Sequence, residues 1–76
     1  MTHTKRFRFS NNVSLVTWDD LSLDLIVSFK SRGGFRGSVY KYTGVTEDDA
    51  WGLINSNKPG VYLNGTIIPK YTHIKL

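Results

Sequence analysis

LSLDLIVSFK, residues 21–30, is the stretch that decides the fold. Large apolar residues alternate along it with polar ones, and Ile26 is the one exception. A period of two is typical of a β-strand with one buried and one exposed face. The pattern predicts a long strand with a fixed register, because a slip by one residue would expose its apolar side chains. The predicted buried side chains are Leu21, Leu23, Leu25, Val27 and Phe29.

Strands are also predicted on both sides of this stretch. VSLVTW (13–18) is rich in β-branched residues, and the acidic pair at 19–20 after it predicts a turn. SVYKYT (38–43) follows a loop at 31–37 that contains three glycines and two arginines. Two strands that are joined in this way are typical of an antiparallel hairpin.

The N-terminal segment KRFRF (5–9) alternates cations with phenylalanines. Phe7 and Phe9 would share one face of a strand, so the segment is either an extra strand on the sheet or a basic surface with interleaved aromatic groups. We treat residues 1–9 as a basic extension, a possible extra strand, and residues 10–76 as a single domain.

A helix is predicted to begin after Thr46, which is a favourable N-cap residue. Three acids follow it at 47–49, where they complement the helix dipole. Gly52 would weaken this helix by up to ~1 kcal/mol relative to alanine. The helix should end at 55–57, because the residue before Pro59 disfavours helical geometry.

The segment VYLNGTIIP (61–69) fits two structures. Asn64-Gly65 between apolar runs is a strong hairpin signal. The series of residues 60, 63, 67 and 71 instead has helical spacing. The residues alone leave both structures open.

These elements predict an α+β fold, a small antiparallel meander of three to four strands packed on one face by one or two short helices. The chain of 76 residues makes one domain. We expect Tyr40 and Tyr42 to lie on the face beneath the helix. The absence of cysteine, of a signal-like N-terminus and of an apolar run near 18 residues favours a cytoplasmic protein without membrane contact.

The charges are segregated along the chain, and the net charge is +4. All the acids fall at 19–24 and 47–49, and the bases lie elsewhere. This distribution favours attraction to a polyanion or to an acidic protein surface.

No motif predicts an enzyme, a cofactor or a metal site. His3 and His73 are the only histidines, and a metal site would need more ligands at suitable spacing. The loop RGGFRG lacks the phosphate-binding P-loop pattern and does not open a helix.

The function that we expect is nucleic-acid binding, with RNA as the favoured ligand, through bases interleaved with aromatic groups. The alternative is a protein-interaction module, such as a phage-encoded inhibitor of a host enzyme, and a sheet edge could support a weak homodimer rather than a monomer. The candidate nucleic-acid-binding residues are Lys5, Arg6, Arg8, Lys30, Arg32, Phe35, Arg36 and Lys41.

A series of short motifs runs in order from Ser10 to Tyr71. They are SNNV (10–13), VTWD (16–19), L-x-V-x-F (25–29), Tyr40-Lys41-Tyr42, Val45, and G-x-Y-L-N (60–64) followed by Ile67 and Tyr71. The series resembles the KTSC domain family, which is named after the C-terminal extension of some lysyl-tRNA synthetases and also occurs as small bacterial and phage proteins. The resemblance implies a short helix at 60–67 and an RNA-binding role. Four features depart from the family pattern. They are Trp18 in place of a tyrosine, Thr46 in place of a proline, Leu63 in place of an aromatic residue, and the longer loop at 31–37.

Overall fold

The structure is a computed structural model that describes residues 1–8, 10, 12–30 and 37–76. The described residues form five strands and three α-helical stretches, with a π-helical turn between the second and third of these. In chain order they are β1 (Thr2–Arg6), β2 (Val13–Asp19), β3 (Leu25–Phe29), β4 (Val39–Tyr42), α1 (Glu47–Ile54), α2 (Pro59–Tyr62), the π turn (Leu63–Ile67), α3 (Ile68–Lys70) and β5 (His73–Lys75).

The strands form one antiparallel sheet in the order β1-β2-β3-β4-β5, which confirms the predicted α+β meander. In the described part of the chain the sheet has five strands, and not the three or four that were predicted. The N-terminal segment adds β1, which pairs with β2 from Thr2 opposite Asp19 to Arg6 opposite Leu15. The C-terminus adds β5, a strand of only three residues whose pattern is too short to be recognised in the sequence.

The predicted strand over 21–30 is only partly right, because the strand begins at Leu25. Leu25 and Val27 are fully buried, as expected, but Leu21 is 85% exposed. Asp19 forms a local turn, in which its carboxylate accepts the Leu21 N–H at 2.9 Å and its carbonyl accepts the Leu23 N–H at 2.8 Å. These hydrogen bonds place Leu23 at a positive φ of 63° and override the alternation of residues 21–24.

Helix α1 begins after Thr46, as predicted, and ends at Ile54, just before the predicted stop. The Thr46 side chain makes no capping hydrogen bond to the helix. Its hydroxyl instead lies 3.2 Å from the hydroxyl of Tyr71, which follows the last helix. The start of α1 is therefore held by tertiary contacts as well as by its acidic first turn.

Residues 59–70 are helical throughout, so the hairpin alternative for this segment is wrong. The Ile68 N–H donates to the carbonyl of Leu63, five residues earlier, which defines the π turn. Pro69 lacks an N–H and its ring would crowd the preceding turn of a regular helix. The wider turn just before it accommodates this proline, and Leu63 and Ile67 still face the core.

The core lies between the helices and one face of the sheet, which we call the covered face. Tyr42 is buried there, as predicted, and Tyr40 is half-buried. The indole N–H of Trp18 donates to the Val45 carbonyl at 3.1 Å in this buried layer. The buried apolar residues are Phe7, Val13, Val16, Trp18, Leu25, Val27, Tyr42, Val45, Ala50, Leu53, Ile54, Leu63 and Ile67.

Gly52 has a packing role that its helix propensity does not reveal. A Cβ atom at this position would lie 2.0 Å from the hydroxyl oxygen of Tyr62 and 2.5 Å from its Cζ. The missing side chain therefore lets the Tyr62 ring lie against α1 and fixes how closely α2 approaches it.

None of the helices in the described ranges is long and apolar enough to cross a bilayer.

Candidate functional site

The antiparallel strands give the molecule two ends of opposite charge. The acidic end contains the β2–β3 turn and the start of α1. Asp19 is the last residue of β2, and Glu47 is the first residue of α1. The basic end contains the end of β1, the start of β2 and the end of α1. The acidic end carries Asp19, Asp20, Asp24, Glu47, Asp48 and Asp49, and the basic end carries Lys5, Arg6, Arg8, Lys30, Lys58 and Lys75.

Most carboxylates of the acidic end have partners. Asp20 contacts the Met1 ammonium at 2.7 Å and the His3 imidazole at 3.0 Å. The ammonium, and then His3, lower the pKa of the Asp20 carboxyl, and the same contact raises the pKa of the Met1 amine. Asp24 lies 3.5 Å from the Lys41 ammonium. These contacts join the start of β1 to the end of β2, and the residue before β3 to β4.

Asp49 ties the start of α1 to the end of the last helix. Its carboxylate accepts hydrogen bonds from the Lys70 ammonium at 2.8 Å and from the Tyr71 hydroxyl. Hydrogen bonds from Lys70, and then from Tyr71, lower the pKa of the Asp49 carboxyl, while Asp49 raises the pKa of Lys70. Tyr71 also accepts the Thr46 N–H at 3.3 Å.

The bases of the basic end, unlike most carboxylates of the acidic end, have no ion-pair partners among the described residues. Across residues 1–8, 10, 12–30 and 37–76, none of the six forms an ion pair. Lys30 is nevertheless engaged, because its ammonium donates to the Arg8 carbonyl at 3.2 Å and to the Ser10 carbonyl. Lys30 therefore stabilises the β1–β2 connection. The other five bases of the basic end have no carboxylate that neutralises them in the described part of the chain.

A cleft opens at the basic end, between the end of β1 and the linker from α1 to α2. Its volume is about 460 Å³, and we call it the basic cleft. Three cations line it and no acid does. The lining residues are Lys5, Arg6, Phe7, Arg8, Ser10, Ile54, Asn55, Ser56, Asn57 and Pro59.

The structure brings together only part of the predicted site. Lys5, Arg6 and Arg8 meet at the basic cleft, and Lys30 bonds to the chain beside it. Lys41 lies apart, on the sheet face that is turned away from the helices, where it pairs with Asp24. The predicted residues Arg32, Phe35 and Arg36 lie outside the described residues.

The expected aromatic groups are mostly inside the protein. Phe7 is 8% exposed and Tyr42 is 2% exposed, so their rings belong to the core and do not offer a stacking surface. Phe9 lies outside the described residues. The aromatic interleaving that the sequence suggests is therefore not a feature of the described surface at the basic cleft.

Sequence reasoning missed the second wall of the cleft, residues 55–57 and Pro59. Nearly fifty residues separate this linker from β1, so no local pattern connects them. Lys58 and Lys75 were also missed, although their charge was visible in the sequence. No three His, Asp or Glu side chains cluster as a metal site within the ranges that the structure describes.

Comparisons with known proteins agree with this fold. No curated protein sequence matches the chain significantly. The crystal structure of a KTSC domain protein from Yersinia pestis is similar, with a TM-score of 0.81 and 20% sequence identity over 100% of this chain and 99% of that chain. The profile of the KTSC domain matches residues 9–71. This match covers most of the sequence, and the chain therefore belongs to the KTSC domain family.

Proposed function

We propose that this protein is a non-enzymatic nucleic-acid-binding domain that uses its basic end to bind RNA. One observation carries the proposal. The bases of the acidic end, Lys41 and Lys70, have carboxylate partners, whereas those of the basic end form no ion pair within the described residues. Cations that stabilise no carboxylate are available to phosphates.

The separation of charge supports binding to a polyanion. The protein would approach RNA with its basic end first, since the opposite end would be repelled. Each phosphate that a lysine or arginine neutralises releases a bound counterion, and this release drives such binding. Lys5, Arg6 and Arg8 all line the cleft, Arg6 from the opposite face of its strand, and no acid is among the lining residues.

The shape of the basic end supports unpaired RNA over a duplex. Sequence-specific duplex readers usually insert a helix or a two-stranded ribbon into the major groove. The exposed side of α1 begins with Glu47 and Asp48. The exposed residues of the helical segment 59–70 are Val61, Asn64, Gly65, Ile68, Pro69 and Lys70, and the single base among them, Lys70, is paired with Asp49. Neither helix presents a row of bases, so the cations on the strand ends and the linker are the better contact surface.

The test is the salt dependence of binding to a labelled single-stranded RNA, measured by fluorescence anisotropy between about 50 and 200 mM salt. Replacing one phosphate-binding residue should lower the slope of log K against log salt by about 0.7. We expect this result for Arg8→Ala. Lys41→Ala is the matched control, since it removes the same charge from a lysine that is paired with Asp24.

Two results would contradict the proposal. Binding that does not change with salt would exclude a phosphate-driven contact. An equal reduction of the slope in Arg8→Ala and Lys41→Ala would mean that net charge alone, and not the basic end, sets the affinity.

A protein-interaction module is the second candidate, and the uncovered sheet face favours it. Ile74 is 58% exposed there, and Ile26 beside Lys41 is half-buried. A partner captured from nuclease-treated lysate, and lost in Ile74→Asp but not in Arg8→Ala, would support this function. Capture that disappears with nuclease would support RNA binding instead.

A further inference from the structure

We infer that the basic cleft holds one unpaired nucleotide of the bound RNA, with its phosphate on the cations and its base between the linker and the core. This inference rests on the proposed function, because it names the ligand of the same site. Four properties of the cleft carry it: the free cations, the apolar floor, the unused carboxamides and the size.

The cations lie on both sides of the strand end. Lys5 pairs with the fully buried Val16, so its side chain is on the covered face, next to the cleft. Arg6 pairs with Leu15, and its side chain is therefore on the opposite face. Arg8 follows the strand and is exposed. A phosphate at the mouth of the cleft could contact Lys5 and Arg8 without breaking any ion pair found in the described residues.

The floor of the cleft is apolar. Phe7 and Ile54 are each 8% exposed, and Pro59 is buried. These side chains come from three separate elements that pack together at this point. These side chains are largely covered, so they offer the edge of the core and not a stacking face. The part of them that lines the cleft removes some of the apolar surface of a base from water and contributes nothing to the binding of a free phosphate.

The wall formed by the linker offers hydrogen-bonding groups that the fold does not use. The Ser10 hydroxyl accepts the Val13 N–H at 3.0 Å, and the Ser56 hydroxyl accepts the Lys58 N–H at 3.1 Å, so both are occupied. Asn55 and Asn57 are exposed, and their side chains make no hydrogen bond within the part of the chain that the structure describes.

A carboxamide carries donors and an acceptor together. This combination matches the edges of an unpaired base, which RNA-binding proteins read by hydrogen bonds. Together with the cations, these groups suit a nucleotide, which presents a phosphate and a base edge at the same time.

The volume is also appropriate for a nucleotide. A cleft of about 460 Å³ falls in the usual range for small organic ligands. It is much larger than a single phosphate ion needs. The open cleft has room for a sugar and a base beside the anion.

The inference can be tested by NMR titration of the labelled protein at low salt. AMP and UMP are added in two arms and inorganic phosphate in a third. We expect the mononucleotides to shift the amide signals of Phe7, Arg8, Asn55 and Asn57, and phosphate to act mainly on Arg8 and its neighbours. The mononucleotides should bind at least about tenfold more tightly than phosphate, because they gain the base contacts.

Two asparagine variants test whether the cleft, and not the rest of the surface, contacts the base. Asn57→Ala should weaken binding of single-stranded RNA by about tenfold, since it removes a base-edge contact without changing charge. Asn64→Ala is the matched control, because Asn64 is also exposed but lies in the π turn, away from the cleft. Unchanged thermal unfolding of both variants would show that the loss is not one of folding.

The outcomes distinguish the inference from the proposed function. Salt-dependent RNA binding that survives intact in Asn57→Ala, or mononucleotide shifts that fall outside the cleft, would overturn the nucleotide site and leave RNA binding standing. Equal affinity for phosphate and mononucleotides would reduce the cleft to an anion site and also overturn the inference. Failure of any salt-dependent RNA binding would overturn both.

Discussion

The acidic end and the basic end differ less in the amount of charge that they carry than in what that charge contacts. At the acidic end, Asp20 and Asp49 each receive two partners, and these contacts join elements that are distant in sequence. At the basic end, Lys5, Arg6 and Arg8 surround a cleft with no carboxylate on its walls. The comparison teaches that the paired charges make contacts within the fold, while the unpaired charges mark the surface that is free for a ligand.

The largest effect is expected when the charge of the basic end is reversed. The double variant Lys5→Glu/Arg8→Glu should weaken RNA binding by about a hundredfold or more at low salt, because two attractive contacts become repulsive. Its free energy of unfolding should change by less than about 0.5 kcal/mol, since both side chains are exposed. Anisotropy and urea unfolding measure the two quantities. A large loss of stability would show that these charges belong to the fold after all.

The next largest effect concerns α1, the helix that begins at the acidic end and finishes at the basic cleft. Gly52→Ala should destabilise the protein by about 1–3 kcal/mol, because the new Cβ would overlap the ring of Tyr62. Urea unfolding measures the loss. In a Tyr62→Leu background the same substitution should be nearly neutral or stabilising, as alanine is the better helix former. An equal loss in both backgrounds would exclude the steric explanation.

A smaller effect is expected from the hydroxyl that links α1 to the last helix. Tyr71→Phe removes the donor to Asp49 and the acceptor for the Thr46 N–H, and should reduce the free energy of unfolding by about 1 kcal/mol. Tyr40→Phe is the matched control, because its hydroxyl makes no hydrogen bond among the described residues. RNA affinity should stay unchanged in both variants, which would separate the acidic end from binding.

The smallest effect is the response of the acidic end to pH. Asp20 and Asp49 have pKa values below the usual 3.8 in the folded protein. A lowered folded pKa contributes stability that is present above the unfolded value and is lost as the pH falls through the folded one. Unfolding followed from pH 5 downward should therefore show decreasing stability below about pH 4.

The variant Asp49→Asn should lose less stability than the unmodified protein as the pH falls, because one of the two acids no longer titrates. Asp48→Asn provides the comparison, since the Asp48 side chain makes no ion pair or hydrogen bond in the described residues. A decrease that is identical in the two variants would mean that the contacts of Asp49 with Lys70 and Tyr71 do not stabilise the fold.

The sequence predicted those elements in which a local pattern and tertiary packing agree. Leu25 and Val27 lie in the core as their alternation indicated, and α1 begins where Thr46 and the acids placed it. Alternation failed at Leu21, which is exposed, whereas Leu23 lies outside the strand but still packs against the core. The hydrogen bonds to Asp19 are made within a few residues and outweigh a weak periodic preference for a strand.

Other features depend on contacts between distant segments, which no local pattern reports. The Asn64-Gly65 pair has good hairpin chemistry, but burial of Leu63 and Ile67 stabilises a helix there. The basic cleft needs β1 and the α1–α2 linker side by side, and only the complete fold brings them together. The cations were therefore predictable one by one, while the amides opposite them were not.

The π turn gives the last helix one residue more than a regular helix would use over the same length. Each residue of an α-helix rotates the chain by about 100°. The extra residue consequently sets the direction in which Lys70 and Tyr71 leave the helix, toward Asp49. Deleting the exposed Gly65 would remove the wide turn that accommodates Pro69 and so disturb the path of the chain toward Asp49. The length of this segment, and not only its composition, therefore specifies how the last helix meets α1.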